Sequence, residues 1–311
     1  MNVTHELKPL GVKTAVAIGY FDGFHLGHMT VLRTALAEAE AYSLQPALLS
    51  FDMSALRAAG KGGADLFPPQ RKQQWAEDLG FCHYIEASFG DICDMSAEEF
   101  VENVLTHRCL GAAVVVCGDD FRFGKGRSGD VKTLGRLCGP HGIRVIAAPS
   151  FALDGEAVST TRIKKLVEAG DMPAVAKLLG RSYDIYGEVI HGNSMGHRMG
   201  FPTANVALPQ NTVLPRRGVY LSQTYVDGCW HRSITNIGTR PTVSGQGITV
   251  EPWILDFEGD LYGRKITLEF HYFLRAEMKF PDLTAMQSEI YRNAEQTRIY
   301  FQEQEAAHGK G

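Results

Sequence analysis

The chain has 311 residues, of which 44% are hydrophobic and 21% charged, and its 31 Lys and Arg against 35 Asp and Glu give a net charge of -4. That length predicts two domains, the composition is that of a soluble globular protein, and the acidic balance argues against a general nucleic-acid binder, which carries a basic face. No apolar run reaches the roughly 18 residues of a membrane span, the first residues hold no signal-peptide core, and six cysteines with no C-x-x-C pair read as reduced thiols of a cytoplasmic protein.

Residues 14–18 are a short apolar, β-prone run, and Val31, Leu32 and Leu36 follow at helical spacing. Between them runs Gly19-Tyr20-Phe21-Asp22-Gly23-Phe24-His25-Leu26-Gly27-His28, so the order is strand, glycine-rich turn, helix. A helix start offers free N–H groups and the positive end of the dipole, which suit a phosphate. His25 and His28 lie three residues apart and point the same way. Two imidazoles beside free amides can hold triphosphate oxygens as charge develops during transfer. A metal site would need a third ligand, and neither Cys nor His lies near in sequence; simple surface polarity is the plainer alternative.

Further along, 46–51 reads as a strand, 69–79 as a helix and 83–86 as a short strand. Ser96 and Glu99 form a capping box ahead of a stripe of Phe100, Val101, Val104 and Leu105. Residues 112–117 are an uninterrupted apolar strand, Asp130 caps a helix through Leu137, and 144–148 is a fifth strand. Strands alternating with helices imply a parallel sheet covered on both sides. In the strand order 3-2-1-4-5, strands one and four are neighbours, and their carboxyl ends flank the crevice at the switch point. The loop after strand four, 118–126, then faces the histidine turn. There Phe121 and Phe123 can stack on a flat ring and Arg122 or Lys125 can reach a phosphate, unless the loop is a flexible surface connection. Ser159 and Thr160 read as a helix N-cap ahead of Ile163, Leu166 and Val167; a functional reading adds Arg162 as an anion clamp, and a plain cap is the alternative. A short helix over 173–179 ends at Gly180.

From Tyr183 the pattern changes to alternation, with strands expected at 183–190, 219–226, 230–237, 249–257 and 265–273. Short adjacent strands with Gly and Pro turns predict an antiparallel barrel, closed by a helix through Leu283, Met286, Ile290, Tyr291 and Ala294. The expected domains are 1–181 and 182–311. Gly192, Gly196 and Gly200 recur every four residues and permit a loop that hugs a ligand, though the run lacks the Gly-Lys-Ser/Thr of a P-loop; a structural turn is the alternative. It ends in Pro202-Thr203-Ala204-Asn205. Thr203 and Asn205 offer hard oxygens suited to Mg²⁺. Phosphoryl transfer to an alcohol needs a proton acceptor, and Glu251 is the candidate. It shares a strand face with Trp253 and Leu255 and is expected to point inward, where burial would raise its pKa; an exposed strand glutamate is the alternative. Pro252 beside it predicts an edge strand or a bulge.

Several of these runs point to one family. His25-Leu26-Gly27-His28 resembles the HxGH signature of nucleotidylyltransferases. The wider Phe21-Asp22-Gly23-Phe24-His25-Leu26-Gly27-His28 resembles the prokaryotic bifunctional riboflavin kinase/FAD synthetase family. Gly118-Asp119-Asp120-Phe121-Arg122-Phe123-Gly124 and Val158-Ser159-Thr160-Thr161-Arg162 are similar to its further adenylyltransferase motifs. The run from Gly192 to Asn205 resembles its riboflavin kinase motif over its full length, and the segments around Glu251 and from Leu274 to Phe280 extend the match. Two places depart from the pattern. Asp52 is followed by Met53-Ser54-Ala55 where the family has Pro-His-Pro, and Tyr20 stands where it often has a smaller residue.

The resemblance implies an α/β plus mainly β architecture: a Rossmann-like nucleotidylyltransferase domain, then an antiparallel β-barrel riboflavin kinase domain with a terminal helix. It implies ATP-dependent phosphorylation of riboflavin to FMN and adenylylation of FMN to FAD. His25, His28, Thr203, Asn205 and Glu251 are then the catalytic residues, and Mg²⁺ sits at Thr203 and Asn205. ATP and its phosphates meet Gly19, Phe21, Asp22, Gly23, Gly27, Ser159, Thr160, Arg162, Gly192, Gly196, Gly200 and Pro202. The flavin meets Asp120, Phe121, Phe123, Arg275 and Phe280. The partners are small molecules rather than nucleic acid or membrane, and the chain is expected to be a monomer or weak oligomer. A kinase with a degenerate adenylyltransferase domain and a non-catalytic flavin-binding regulator stay open.

Overall fold

A computed structural model describes residues 1–58, 60, 62–191, 201–242 and 245–308. The chain divides into two compact units, Met1–Thr160 and Thr161–Gly311.

The first unit runs β1 (Asn2–Thr4), β2 (Thr14–Ile18), α1 (Leu26–Ala41), β3 (Gln45–Asp52), α2 (Ser54–Ala58), α3 (Pro69–Asp78), β4 (His83–Ser88), α4 (Phe89–Ile92), α5 (Ala97–Phe100), β5 (Ala112–Gly118), α6 (Val131–Cys138), β6 (Arg144–Ala148) and a small hairpin, β7 (Ala152–Leu153) with β8 (Glu156–Ala157). The sheet order is β1-β4-β3-β2-β5-β6, and every pairing is parallel. This is the expected order with β1 added at the edge of β4. All five residues of β2 are buried, as a central parallel strand covered on both faces requires. Its alternation splits the core: Val16 and Ile18 pack with Phe100, Val104 and Leu134, while Ala15 and Ala17 pack with Leu32 and Ala35 of α1. Local chemistry sets the helix ends. Ser96 and Glu99 form the capping box, after which the chain continues as a π turn over Val101–Leu105. The Asp130 carboxylate accepts the Thr133 N–H at 2.8 Å at the start of α6.

The second unit holds the body of α7 (Thr160–Ala169), then α8 (Met172–Leu179), β9 (Tyr183–Ile190), β10 (Asn205–Val206), β11 (Gly218–Val226), β12 (Cys229–Thr242), β13 (Gly245–Ile254), β14 (Lys265–Arg275) and α9 (Leu283–His308). By packing, α7 and α8 therefore join the unit that contains the barrel, although the change of periodicity comes later in the chain. The six strands are antiparallel in the order β10-β9-β14-β11-β12-β13. The Ala204 N–H donates to the Pro252 carbonyl at 2.9 Å and Thr203 bridges Trp253, so the two end strands meet along a seam. As its proline predicts, β13 is an end strand, and Pro252 meets the seam with an acceptor rather than the donor it lacks. One face of β11 and β12 buries Ser222, Thr224, Ser233 and Thr235, whose hydroxyls bond one another at 2.8–3.0 Å. On the opposite face, Val219, Ile234 and Leu255 pack against Ala294 of α9.

Candidate active sites

In the first unit a cavity of about 360 Å³ opens at the carboxyl ends of β2, β5 and β6, lined by Gly19–Phe21, Gly118–Phe121 and Ala148–Phe151 together with the start of α1 and residues 157–160. This is the crevice that the strand order predicts. His25 is the N-cap of α1 and only 4% exposed. Its Nδ1 accepts the His28 N–H at 3.2 Å, so the neutral ring carries its proton on Nε2. The His25 and His28 rings stack with centroids 3.6 Å apart, and Phe21 meets the His28 ring edge-on at 5.4 Å. A Cβ on Gly27 would stand 3.1 Å from the His25 ring and 3.3 Å from the Val158 carbonyl. Glycine there lets the capping ring lie against the helix start.

The residues expected to meet ATP divide into two groups. Gly19, Phe21, Gly27, His25, His28, Ser159 and Thr160 line the cavity. Asp22 and Gly23 are not among the lining residues. Asp22 is fully buried, its Oδ1 accepts the Leu66 N–H at 2.8 Å, and its carbonyl accepts the Thr160 hydroxyl at 3.1 Å. Asp22 thus fastens the turn to segment 65–66 and to the start of α7. Arg162 is half-buried on α7 and does not line the cavity.

Of the residues expected at the flavin, Asp120 and Phe121 line this cavity. Phe123 instead packs in the core, 6% exposed, with its ring 5.4 Å from Phe100 and parallel to Phe121 at 5.9 Å. Arg122 pairs with Asp130 at 3.5 Å and Lys125 with Asp94 at 3.1 Å, both away from the lining. Thr30, Asp119 and Ser150 line the cavity although sequence reading assigns them no role, and so does Tyr20, noted there only as a departure from the family pattern. The position of 148–151 just after the fifth strand was the available signal. Hydrogen bonds from the Ser150 hydroxyl and N–H hold the Asp119 carboxyl below the usual range.

A buried polar group lies beside Tyr20. Its hydroxyl donates to the Asp65 carboxylate, which also accepts from Arg57 Nη1 at 3.0 Å. Arg57 stands 3.6 Å from Asp52 at the end of β3. The Lys72 ammonium lies 5.8 Å from the Tyr20 ring centroid and 3.5 Å from Glu86, with both side chains under 5% exposed. Burial, then the Asp22 and Asp65 carboxylates, push the Tyr20 phenol well above its ordinary value.

In the second unit two cavities adjoin, of about 420 and 390 Å³, and Thr203 lines both. Pro202, Pro252, Ile254, Phe257 and Tyr262 border the first. Glu251, Trp253, Asn236, Arg275, Glu277 and Phe280 border the second. Alternation along β13 sends neighbouring residues to different cavities. Glu251 does share a face with Trp253, but that face borders the cavity flanked by Met286, Ile290 and Asn293 of α9, and Glu251 is half-buried. The deeply buried positions are Val250, Pro252 and Ile254, so the expectation that Glu251 points into the interior is corrected. Because α9 screens the other face, both faces of β13 are covered, and alternation alone does not tell them apart.

Asn205 pairs with Ile190 on β10, is half-buried, and lines neither cavity. Gly192, Gly196 and Gly200 lie outside the described residues. Arg275 is held by α9, with Nε 3.1 Å from Glu289 and 3.0 Å from Asn293 Oδ1, and its guanidinium lies 5.6 Å from the Phe280 ring centroid. Glu277 was missed. Its Oε1 would stand 2.7 Å from a Cβ on Gly238, so a side chain there would push that carboxylate aside.

An open parallel sheet with its crevice at the switch point, and a β-barrel with two adjoining cavities, define a protein of the nucleotide-binding α/β plus β-barrel class. Residues 8–162 match the FAD synthetase family model and residues 179–301 the riboflavin kinase model. Proteins named bifunctional riboflavin kinase/FMN adenylyltransferase are similar over most of the chain. That of Pseudomonas fluorescens is 34% identical, covering 92% of each chain, and that of Haemophilus influenzae is 34% identical, covering 92% of this chain and 94% of its own. A crystal structure described as a macrolide-efflux protein from Streptococcus pneumoniae superposes with a TM-score of 0.83 at 26% identity, covering 92% of this chain and 94% of that one. The chain belongs to the bifunctional riboflavin kinase/FMN adenylyltransferase family.

Proposed function

We propose that this chain makes FAD from riboflavin in two ATP-dependent steps, one at each site. The observation that carries the reading is that one chain holds both a helix-capping histidine pair at a sheet switch point and a threonine shared by two barrel cavities. For the first step ATP occupies the cavity bordered by Pro202, Phe257 and Tyr262, and Gly192, Gly196 and Gly200 contact its phosphates. Riboflavin occupies the cavity bordered by Trp253, Arg275 and Phe280. The phosphoryl group crosses at Thr203, and Glu251 accepts the proton of the 5′-hydroxyl. The side-chain oxygens of Thr203 and Asn205 are hard donors, and no group of three His, Cys, Asp or Glu side chains among the described residues forms a metal cage. Few protein ligands, completed by phosphates and water, suit Mg²⁺, which when bound neutralises charge on the transferring phosphoryl group.

In the second step the FMN phosphate is already a nucleophile, so positioning and charge stabilisation suffice. His25 and His28 hold the ATP phosphates. Gly19, Phe21 and Gly27 shape the pocket, and Asp22 and Gly23 set its turn. Ser159, Thr160 and Arg162 steady the departing pyrophosphate, Asp120 and Phe121 border the flavin, and Phe123 supports Phe121 from the core. The functional boundary falls at 181/182. No described helix is long and apolar enough to cross a membrane; the reading places the chain in the cytoplasm as a monomer or weak oligomer acting on small molecules.

A kinase-only reading draws on the stretch after Asp52, where α2 replaces Pro-His-Pro. Chromatography of products from riboflavin and saturating ATP separates the two: FMN followed by FAD supports both steps, and FMN alone removes the second. A regulator without catalysis predicts flavin binding that survives His25→Ala and Glu251→Ala, with no turnover in the parent.

A further inference from the structure

The altered stretch after Asp52 poses a physical question: what holds the histidine turn in place. The turn is strained at Phe24, a bulky residue with φ 46°. A bulky residue in the left-handed region persists only where its surroundings over-determine it. On the helix side the turn is fixed by the His25 cap. On the strand side two bonds reach it from one neighbouring segment. The Tyr20 hydroxyl donates to the Asp65 carboxylate, and the Leu66 N–H donates to Asp22 Oδ1 at 2.8 Å. The Asp65 side chain is 7% exposed and is anchored by Arg57 at 3.0 Å. Arg57 in turn stands 3.6 Å from Asp52, the residue just before the departure from the family pattern. A chain of charged contacts, passing through the buried Asp65, therefore runs from the end of β3 to a residue that lines the cavity. Charge-assisted bonds of this kind are short and strong, and at low local dielectric they are little screened.

We infer that Tyr20 is a positioning residue for adenylyl transfer, and that the Arg57–Asp65–Tyr20 brace fixes the strand side of the histidine turn. The inference rests on the adenylyltransferase reading of this cavity. Tyr20→Phe keeps the ring and removes only the bond to Asp65. Asp65→Asn keeps the shape and removes the charge that Arg57 pairs with. A 1 Å misplacement of groups that hold a reacting phosphate costs up to a hundredfold, so each variant should lower kcat for FAD formation from FMN about tenfold or more, with KM for FMN within about threefold.

The test is a double-mutant cycle on the full chain, with FMN formation from riboflavin in the same samples as the internal control. The brace acting as a unit predicts that Tyr20→Phe/Asp65→Asn is no slower than the worse single variant, with FMN formation unchanged. Singles within twofold of the parent, or losses that multiply in the double variant, overturn it. If the parent forms FMN but no FAD, the adenylyltransferase reading fails. The brace is then judged by hydrogen exchange with α,β-methylene ATP and Mg²⁺. Protection of amides 19–28 in the parent but not in Tyr20→Phe supports it, and equal or absent protection in both overturns it.

Discussion

Thr203 and Trp253 face each other across the seam that closes the barrel, yet only Thr203 reaches both cavities, Trp253 bordering just one. The seam therefore sets Thr203 at the border of two cavities, with Glu251 lining one of them.

Glu251→Gln keeps the strand and removes the base. FMN formation should fall by about 10²–10⁴, while FAD formation from supplied FMN stays at the parent rate. Separate product assays started from riboflavin and from FMN check this, and equal losses in both would count against a dedicated base.

His25 has two duties that substitution can separate. His25→Ala removes both the cap and the stacked ring, so FAD formation should fall about a hundredfold and the fold should weaken by about 1 kcal/mol. His25→Asn restores a capping acceptor, so it should recover stability but not FAD formation. Denaturant unfolding beside the product assay reads the two effects apart.

Lys72 and Glu86 form a buried pair at 3.5 Å, and the exposed His5 imidazole stands 3.7 Å from Glu86. Lys72→Met would strand the carboxylate and should cost about 3–5 kcal/mol. Lys72→Met with Glu86→Gln should regain most of that loss. Unfolding followed by the fluorescence of Trp75, on the same helix as Lys72, measures both.

Burial pulls the His271 pKa from 6.5 down to about 4, and the Glu269 carboxylate 3.7 Å away does not offset it. The ring packs edge-on against Phe301 at 5.1 Å and lies 6.0 Å from Tyr300, both on α9. The folded state holds this imidazole neutral, so between about pH 6.5 and 4 the unfolded chain binds the extra proton. Stability is then fully present above pH 6.5 and is lost as pH falls through that window, by up to about 3 kcal/mol at 1.36 kcal/mol per unit. Thermal melts at pH 7, 5.5 and 4.5 should show the fall, and His271→Phe should flatten it.

Much was written in local sequence. Strand, turn and helix around His25, the capping residues Ser96 and Asp130, the parallel order of the first sheet and the alternating strands of the barrel all follow from patterns within a few residues, because periodicity and caps are properties of neighbouring backbone. The edge strand β1 was not legible, since three mostly exposed residues show no pattern until β4 supplies their partner. Neither was the two-residue β10, which exists through its pairing with β9. Only packing decided which of two like residues lines a cavity. Phe121 borders the cavity while Phe123 fills the core, and Asp22 fastens the turn rather than facing the crevice. Arg275 is engaged by Glu289, and Glu251 looks beneath α9 instead of into the barrel. In each case the partner that settles the question comes from a distant part of the fold, and alternation states only that a strand has two faces, never what will cover each.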